Sequence, residues 1–323
     1  MIRFHSIKRK NQPNKRGGAN VSLLLLTLLS ALLLVSCAVT PPETEAETEP
    51  EIIVFQSNGD GTCYVQYVAD QTIKGIVIPS VSPSGDTVTA IGWSAFADCF
   101  DLASVSIPDT VTSIGDTAFI NCRELKNVVV PSGVTEIGGG CFYGCTSLES
   151  ITLPFVGASK DGTEYTHFGH IFQLESSYME QSNFVPQCLE TVVITGGTSI
   201  GDLAFYACEY ITNVTLPDSV TSIGSNAFGG CIGLKSIDLG DGLTSIGSHA
   251  FNACWALERV IIPEGVNNIE MFTFSGCTSL TSVTLENPDG WNAGGTGLMG
   301  LDDPSTAATY LKDTYSTCAW TRS

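Results

Sequence analysis

A segment of about 23 residues recurs along most of this chain, and this recurrence limits what the chain can fold into. VTSIGDTAFINCRELKNVVVPSG begins at Val111, and VTSIGSNAFGGCIGLKSIDLGDG begins at Val220. The aliphatic residue that closes each Cys-x-x-Leu motif follows the previous one at spacings of 23, 23, 41, 22, 23, 23 and 23 residues: Leu102, Leu125, Leu148, Leu189, Ile211, Leu234, Leu257 and Leu280. A ninth strand motif, Ile73-x-x-Ile76-x-Ile78-Pro79, precedes them. Such a fixed period is typical of a solenoid, in which each repeat forms one turn that stacks on the next.

Patterns within each repeat predict how a turn is built. In the L-x-x-V-x-I segment the last two apolar residues flank a polar one, which is typical of a strand with one buried face. Proline often follows and ends the pairing because it has no N–H to donate. An Ile-Gly pair then buries another aliphatic side chain and lets the backbone turn at glycine. An Ala-Phe pair follows and supplies a column of aromatic rings: Phe96, Phe119, Phe142, Phe205, Phe228, Phe251 and Phe274. The prediction is a β-rich solenoid of 23-residue turns with one parallel sheet and a continuous phenylalanine stack inside.

The consensus V-T-x-I-G-x-x-A-F-x-x-C-x-x-L-x-x-V-x-I-P resembles the BspA-type leucine-rich repeat of bacterial surface proteins. The resemblance covers roughly residues 73–285, where many positions recur at fixed spacing. It implies a leucine-rich repeat solenoid with a non-enzymatic, protein-binding or adhesive role, and it does not identify the ligand. The pattern departs at the 41-residue spacing and in the last turn, where Ile269-Glu270 and Phe272 are expected to loosen the packing.

The first 51 residues have the composition of an export signal and a tether. Residues 1–36 form the predicted lipoprotein signal peptide, whose apolar run of 15 residues at 21–35 is too short to span a hydrocarbon core of about 30 Å. Leu34-Val35-Ser36-Cys37 resembles the bacterial lipobox, and this resemblance implies that Cys37 is lipidated and anchors the chain in the membrane. Residues 37–51 are acidic and rich in Pro, Thr and Glu, which predicts a solvated tether. An uncleaved membrane anchor and an acidic export motif are the alternatives.

The ends of a solenoid need caps, because a terminal turn would otherwise expose its apolar face. Residues 52–87 are predicted to form an N-terminal cap and first strand, starting with a hairpin about Asn58-Gly59-Asp60-Gly61. Leucine-rich repeats are then expected over 88–285, and residues 286–323 are expected to form a C-terminal cap.

The C-terminal cap is predicted to contain a short helix. Asp303 is placed to cap it, with Pro304 at the first helical position. Trp291 and Trp320 are expected to cover the open core of the last turn.

An irregular inserted turn is expected at about 155–197. The long spacing between Leu148 and Leu189 corresponds to 18 residues beyond one regular repeat, placed at about 158–187. Phe168-Gly169 and Phe172 are predicted to replace the regular Ile-Gly and Phe. Insertions in solenoids bulge from one face and often carry recognition, and a tolerated surface loop is the alternative.

Two motifs suggest chemistry and are explained by the repeat or its insert. Gly197-Thr198-Ser199-Ile200-Gly201 matches the G-x-S-x-G motif of hydrolases, but it occupies the V-T-S-I-G slot of other repeats, which predicts no nucleophile there. His167 and His170 lack a fixed third ligand, so packed or solvated histidines are favoured over a zinc site. Neither a metal nor a cofactor is expected, and the chain is predicted not to be an enzyme.

Most of the 12 cysteines occupy one column of the repeat. A recurring position indicates a structural slot for a small apolar side chain beside the phenylalanine stack. Parallel side chains on neighbouring turns disfavour disulfide geometry, so free thiols are predicted: Cys99, Cys122, Cys145, Cys208, Cys231, Cys254 and Cys277.

Charge excludes one class of partner. The whole chain has a net charge of −19, and beyond residue 36 only eight bases stand against 33 acids, which gives −25. So acidic a chain is not expected to bind nucleic acid. The predicted function is that of a lipid-anchored, surface-exposed protein of the bacterial cell envelope. Its solenoid would bind a protein partner, such as a host or neighbouring-cell protein. The alternatives are an extracytoplasmic glycan-binding or enzyme-accessory module and a structural envelope spacer.

The predicted binding face follows from the two-residue period of the strands. Between the buried positions of each strand lies one outward residue, and the nine together should form a ribbon roughly 40 Å long, since strands lie ~4.8 Å apart. They are Val77, Ser106, Val129, Thr152, Val193, Thr215, Asp238, Ile261 and Thr284.

Overall fold

The computed structural model describes residues 52–160, 165–173 and 178–322. Cys37, the predicted signal peptide and the tether lie outside the described residues. The described strands, numbered in chain order, are β1 (Ile53–Ser57), β2 (Thr62–Val68), β3 (Gly75–Val77), β4 (Thr87–Ile91), β5 (Ser104–Ser106), β6 (Ser113–Ile114), β7 (Asn127–Val129), β8 (Glu136–Ile137), β9 (Ser150–Leu153), β10 (Thr191–Ile194), β11 (Ser199–Ile200), β12 (Asn213–Thr215), β13 (Ser222–Ile223), β14 (Ser236–Asp238), β15 (Ser245–Ile246), β16 (Arg259–Ile262), β17 (Asn268–Ile269), β18 (Ser282–Leu285), β19 (Trp291–Ala293), β20 (Thr296–Gly297) and β21 (Trp320–Arg322).

Helix is scarce. Two 3₁₀ helices, Phe168–Phe172 and Tyr178–Asn183, lie in the inserted turn, and one α-helix, α1 (Pro304–Thr309), runs into a π-helical turn at Tyr310–Thr314. Within the described ranges no helix has the length and apolar character needed to cross a membrane.

The L-x-x-V-x-I segments form the main sheet, as the sequence predicts. Its strands β3, β5, β7, β9, β10, β12 and β14 pair in parallel, each with the strand of the next turn, and β16 and β18 pair with each other further along the chain. Strands β9 and β10 remain paired in register across the insertion, from Ser150 opposite Thr191 to Leu153 opposite Ile194. The extra residues therefore do not interrupt the main sheet.

A second parallel ladder runs through the Ile-Gly segments, for which the sequence predicts a buried aliphatic side chain and a turn. This short ladder consists of β4, β6 and β8 before the insertion and β11, β13, β15 and β17 after it. The expectation of one parallel sheet is therefore wrong. Apart from β4, the strands of this ladder have two residues, too few to show an alternating pattern, so periodicity could not reveal them.

The glycine of the Ile-Gly pair serves a purpose other than the predicted turn. A Cβ on Gly115 would lie 2.7 Å from the Trp93 backbone nitrogen, and a Cβ on Gly247 would lie 2.7 Å from the Gly224 carbonyl carbon. Glycine is needed there because adjacent turns approach closely. The left-handed conformation falls instead on residues further along each turn, such as Thr117 (φ 51°) and Asn121 (φ 60°).

The core contains the predicted phenylalanine stack. Phe96 and Phe119 have ring centroids 4.9 Å apart, and Phe228 and Phe251 have centroids 5.2 Å apart, with planes within 10° of parallel in both pairs. These rings are fully buried. Because a single turn cannot enclose its own phenylalanine, each turn relies on its neighbours for burial.

The column cysteines are free thiols buried beside the stack, as predicted. Where the turns are regular, each thiol donates a hydrogen bond to the phenylalanine carbonyl of the preceding turn, as Cys122 Sγ does to Phe96 O at 3.3 Å and Cys231 Sγ to Phe205 O at 3.0 Å. Burial raises the pKa of the Cys99 and Cys231 thiols to about 12. These two thiols therefore stay protonated at neutral pH, and Cys231 remains a donor.

The inserted turn keeps the stack continuous by dividing one phenylalanine position between two residues. Phe172 packs against Phe142 with centroids 6.3 Å apart, as predicted for a residue in the Phe position. Phe168 packs against Phe205 at 4.8 Å, and its amide donates to Ala204 O at 2.7 Å, as a regular phenylalanine would. The prediction that Phe168-Gly169 replaces Ile-Gly is therefore wrong, since Phe168 belongs to the stack.

Both predicted caps are present. At the N-terminal end, β1 and β2 form the expected antiparallel hairpin about Asn58–Gly61, and β2 pairs in parallel with β4. At the C-terminal end, Asp303 Oδ2 accepts a hydrogen bond from the Thr306 amide at 3.0 Å and caps α1. Trp291 and Trp320 are buried, with their ring centroids 6.1 Å apart. Strand β21 pairs antiparallel with β17 and so closes the short ladder.

Candidate functional site

The nine outward residues predicted from the strand pattern lie on successive strands, seven on the main sheet and two on the β16–β18 pair, and are here called the outer row. Strand register places Val77 beside Ser106 and Val129 beside Thr152 on the main sheet, and Ile261 beside Thr284 on the β16–β18 pair. The nine residues are Val77, Ser106, Val129, Thr152, Val193, Thr215, Asp238, Ile261 and Thr284. Seven of them are exposed, whereas Thr152 and Val193, which flank the insertion, are half-buried.

The outer row combines exposed aliphatic side chains with little charge. Val77, Val129 and Ile261 are between 57% and 74% exposed, and Asp238 is the one ionisable residue of the row. The row is therefore low in charge, and its exposed aliphatic side chains lie on three separate strands.

Charged side chains border the outer row. Lys126 Nζ lies 3.4 Å from Glu149 Oε1, and Arg259 Nη2 lies 4.0 Å from Glu258 Oε2. All four side chains are more than half exposed. Exposed pairs of this kind contribute little to stability, so they are better suited to orienting a partner.

A groove of about 590 Å³ lies on the short ladder, and we call it the side groove. Its floor is the backbone of β4, β6 and β8 with the glycines that follow them, and its lining includes two carboxylates, a tyrosine and a histidine: Ala90, Ile91, Gly92, Ser113, Ile114, Gly115, Asp116, Glu136, Ile137, Gly138, Ala158, Ser159, Tyr165 and His170.

The inserted turn closes one end of the side groove. The Ile137 amide donates to Ala158 O at 2.8 Å, which continues the short ladder into the insertion. Tyr165 and His170 stack with ring centroids 5.1 Å apart, and Asp116 Oδ1 accepts from the Gly139 amide at 2.8 Å. Burial lowers the pKa of His170, with Asp116 opposing the shift, so the ring is neutral at pH 7.

Sequence reasoning did not find the side groove, although one signal was available. Trp93 occupies the position after Ile-Gly that Asp116 occupies in the next turn and Asp202 in a later one, and its side chain is 74% exposed. A large aromatic residue exposed in a column of small and acidic residues has no packing role. Its relation to Tyr165 depends on the path of the insertion, which the repeat does not encode.

His167 and Ser199, which belong to the motifs that suggest chemistry, both have structural roles. His167 is buried, and Gln173 Nε2 donates to its Nε2 at 2.7 Å, so the ring is packed as the sequence favoured. Ser199 pairs with Ser222, and Ser222 with Ser245, in the short ladder. The G-x-S-x-G match is therefore one rung of the repeat.

The BspA type leucine rich repeat model matches this chain in six copies, over residues 70–185 and 198–289. These ranges cover more than half of the chain and contain the short ladder and all of the main sheet except β10. No catalytic family is indicated, and repeat proteins of this type are typically non-enzymatic and take part in protein–protein interaction.

Three solved structures illustrate what the chain is similar to. The pneumococcal vaccine antigen PcpA is 21% identical over 68% of this chain and 52% of that one, with a TM-score of 0.33, so this chain spans about half of its length. A leucine rich cell surface protein from Faecalibacterium prausnitzii is 22% identical over 74% and 88% of the two chains, with a TM-score of 0.32. The leucine rich repeat protein of T. pallidum is 18% identical over 72% and 90%, with a TM-score of 0.36. No curated protein matches the chain.

Proposed function

Because the chain belongs to the BspA type leucine-rich repeat family, we propose that it binds a protein partner through the outer row of its main sheet. The observation that carries this proposal is the alignment of the outward residues in strand register, seven along the main sheet and two on the β16–β18 pair, with three large aliphatic side chains exposed. Interfaces place apolar anchors within a polar rim, and the outer row with its bordering ion pairs has this arrangement.

Partner charge is the second consideration. With a net charge of −19 the chain repels most acidic surfaces, but the outer row itself carries only Asp238. A partner can therefore cover this row without burying many unpaired charges, which would weaken binding. We infer an extended protein surface as the ligand, from a host or a neighbouring cell, and an adhesin-like role.

Location forms part of the same proposal. The basic start, the short apolar run and the lipobox-like sequence ending at Cys37 support export and lipid anchoring in a bacterial envelope. The acidic segment at 37–51 supports a spacer that holds the solenoid away from the membrane. In this arrangement the solenoid is accessible to a partner outside the membrane.

Lysine substitutions in the outer row test the proposal. The variant Val77→Lys/Val129→Lys/Ile261→Lys places three charges on exposed positions and leaves the buried side chains in place. We expect binding to an array of immobilised extracellular proteins to weaken by roughly tenfold or more, because interface anchors each contribute about 1 kcal/mol or more. The circular dichroism spectrum should not change.

A matched control separates position from charge. Ser132→Lys/Thr146→Lys/Ser279→Lys adds the same charge at exposed positions outside the outer row and should bind like the wild type. Equal loss in both variants, or full binding by the first, would place the partner elsewhere. Deleting residues 158–187 is a poorer test, because it removes Phe168 and Phe172 from the core.

A further inference from the structure

The side groove is separate from the outer row, since it lies on the short ladder. It occurs on only one part of that ladder. After the insertion, β11, β13, β15 and β17 repeat the same backbone, but the column that contains Trp93 and Asp116 continues there without an aromatic residue, as Asp202, Ser225, Ser248 and Met271. The aromatic residues and the end wall are thus local additions to a regular ladder, and the repeat does not require them.

We propose that the side groove binds a neutral oligosaccharide, held by Trp93 and Tyr165 at its two ends and by Asp116 and Glu136 between them.

The aromatic residues are spaced for an extended ligand. Trp93 follows the floor residue Gly92, and the His170 carbonyl, three rungs further along, accepts from the Gly140 amide. At ~4.8 Å per rung the two ends of the groove lie roughly 14 Å apart. Trp93 is 74% exposed and Tyr165, stacked on His170, is 46% exposed. Aromatic faces in water favour flat, partly apolar ligands, and the C–H face of a pyranose ring is such a surface.

The polar lining suits hydroxyl groups. The carboxylates of Asp116 and Glu136 can each accept hydrogen bonds from neighbouring hydroxyls, and Ser113 can donate or accept. The floor between these side chains is backbone at Gly92, Gly115 and Gly138, where a side chain is excluded by the preceding turn.

The charge of the lining selects among ligands. The lining residues include two carboxylates and neither lysine nor arginine, which disfavours an anionic ligand such as a phosphate or a uronic acid. The neutral His170 adds hydrogen-bonding capacity without positive charge. A basic peptide is the competing ligand, but Trp93 and Tyr165 lie at ends of the groove whose backbones are roughly 14 Å apart, a spacing unsuited to one aromatic cage around a cation.

An array of neutral glycans probed with the purified full chain tests the proposal, and titration calorimetry with the best-retained oligosaccharide quantifies it. We expect Trp93→Ala and Tyr165→Ala together to weaken binding by at least about tenfold. Trp255→Ala removes another exposed tryptophan, 54% exposed, away from the groove, and should leave affinity unchanged.

A second matched pair tests Asp116. Both Asp116 and Asp202 accept a backbone amide of the next turn, from Gly139 at 2.8 Å and from Ser225 at 2.6 Å. Asp116→Asn should therefore perturb the fold about as much as Asp202→Asn but should alone weaken glycan binding. Binding should also survive the triple lysine variant of the outer row, which makes failure here distinguishable from failure of the protein-binding proposal.

Three results would overturn the proposal. One is that no neutral glycan is retained above the level of the Trp93→Ala/Tyr165→Ala variant. Another is oligosaccharide binding that neither Trp93→Ala/Tyr165→Ala nor Trp255→Ala weakens. The third is binding of hexalysine that requires Asp116 but not Trp93, which would assign the groove to a basic peptide.

Discussion

At the residue scale, the repeat consensus contains glycine for reasons of space. The glycine after a buried isoleucine has no left-handed backbone conformation, but in every such pair except Ile200-Gly201 a side chain on it would meet the backbone of the preceding turn. The recurrence of glycine showed that this position is constrained and suggested a backbone turn as the reason. That reason is wrong, and it could not be told from the sequence because a turn and a close approach of two backbones both select glycine. Only the stacking distance between turns distinguishes them.

Two glycines of this column make a matched test. A Cβ on Gly247 would lie 2.7 Å from Gly224 C and 2.8 Å from Ser225 N, whereas a Cβ on Gly201 would meet only Thr166, at 3.7 Å and beyond. We expect Gly247→Ala to lower the free energy of unfolding by about 1–3 kcal/mol, because backbone atoms must shift. Gly201→Ala should change it by less than about 1 kcal/mol. Urea unfolding of both variants measures the difference, and equal shifts would contradict the role of close approach.

At the element scale, the main sheet was predictable and the inserted turn was not. The strands with alternating burial follow from L-x-x-V-x-I, so the outer row could be named from the sequence. The side groove could not, because it brings Asp116 together with Tyr165 and His170 through an insertion without periodicity. The divided phenylalanine position was missed because Phe168 fits either an aliphatic slot or the stack.

The inserted turn contains a buried histidine that should make it sensitive to acid. Burial, with a smaller effect of the nearby His170, lowers the pKa of His167 to about 4 from an ordinary 6.5, and burial also lowers the pKa of His170. Below pH 6.5 the unfolded histidine binds protons that the folded one does not, so stability is lost as the pH falls from 6.5 towards 4. The amide of Gln173, which donates to His167 Nε2, would then face a second donor.

Hydrogen exchange measures this local effect. The amides of Gly140 and Phe142 donate to the His170 and Ile171 carbonyls, so their protection factors should fall as the pH is lowered, by up to roughly tenfold per pH unit. The Phe228 amide, which donates to Ala250 O in a regular turn, should keep its protection. His167→Gln should remove most of the pH dependence. Constant protection of Gly140 and Phe142 from pH 6.5 to 4.5 would show that His167 does not couple to the fold of the insertion.

At the scale of the whole molecule, the two ends are closed by different means. The β1–β2 hairpin extends the short ladder at one end, and β21 stops it with antiparallel pairing at the other. The main sheet ends at β3, whose Val77 is the most exposed aliphatic residue of the outer row. The caps were predictable in position because a solenoid needs them, and their pairing with the short ladder was not, since that ladder was itself unexpected.

Attachment to a membrane is also a property of the whole chain. Residues 37–323 carry eight bases against 33 acids, so they gain no electrostatic attraction to an anionic lipid surface, where each base near the surface would contribute about 1 kcal/mol. Acyl chains on Cys37 would instead contribute about 0.8 kcal/mol for each buried CH₂ group, enough for durable binding when there is more than one chain. Under the proposed lipidation, a single thiol decides where this protein resides.

Replacing that thiol tests the anchor. We expect Cys37→Ser to move the protein from the membrane fraction to the soluble extracytoplasmic fraction or the medium, because the remaining chain has no electrostatic attraction to lipid. Cys188→Ser is the matched control: it removes an exposed thiol of the solenoid and should leave the protein with the membranes. Immunoblots of the fractions give the measurement, and mass spectrometry of the N-terminal peptide shows whether the signal was removed. If Cys37→Ser stays in the membrane fraction with its signal peptide cleaved, another part of the chain holds it there and lipid anchoring through Cys37 is wrong.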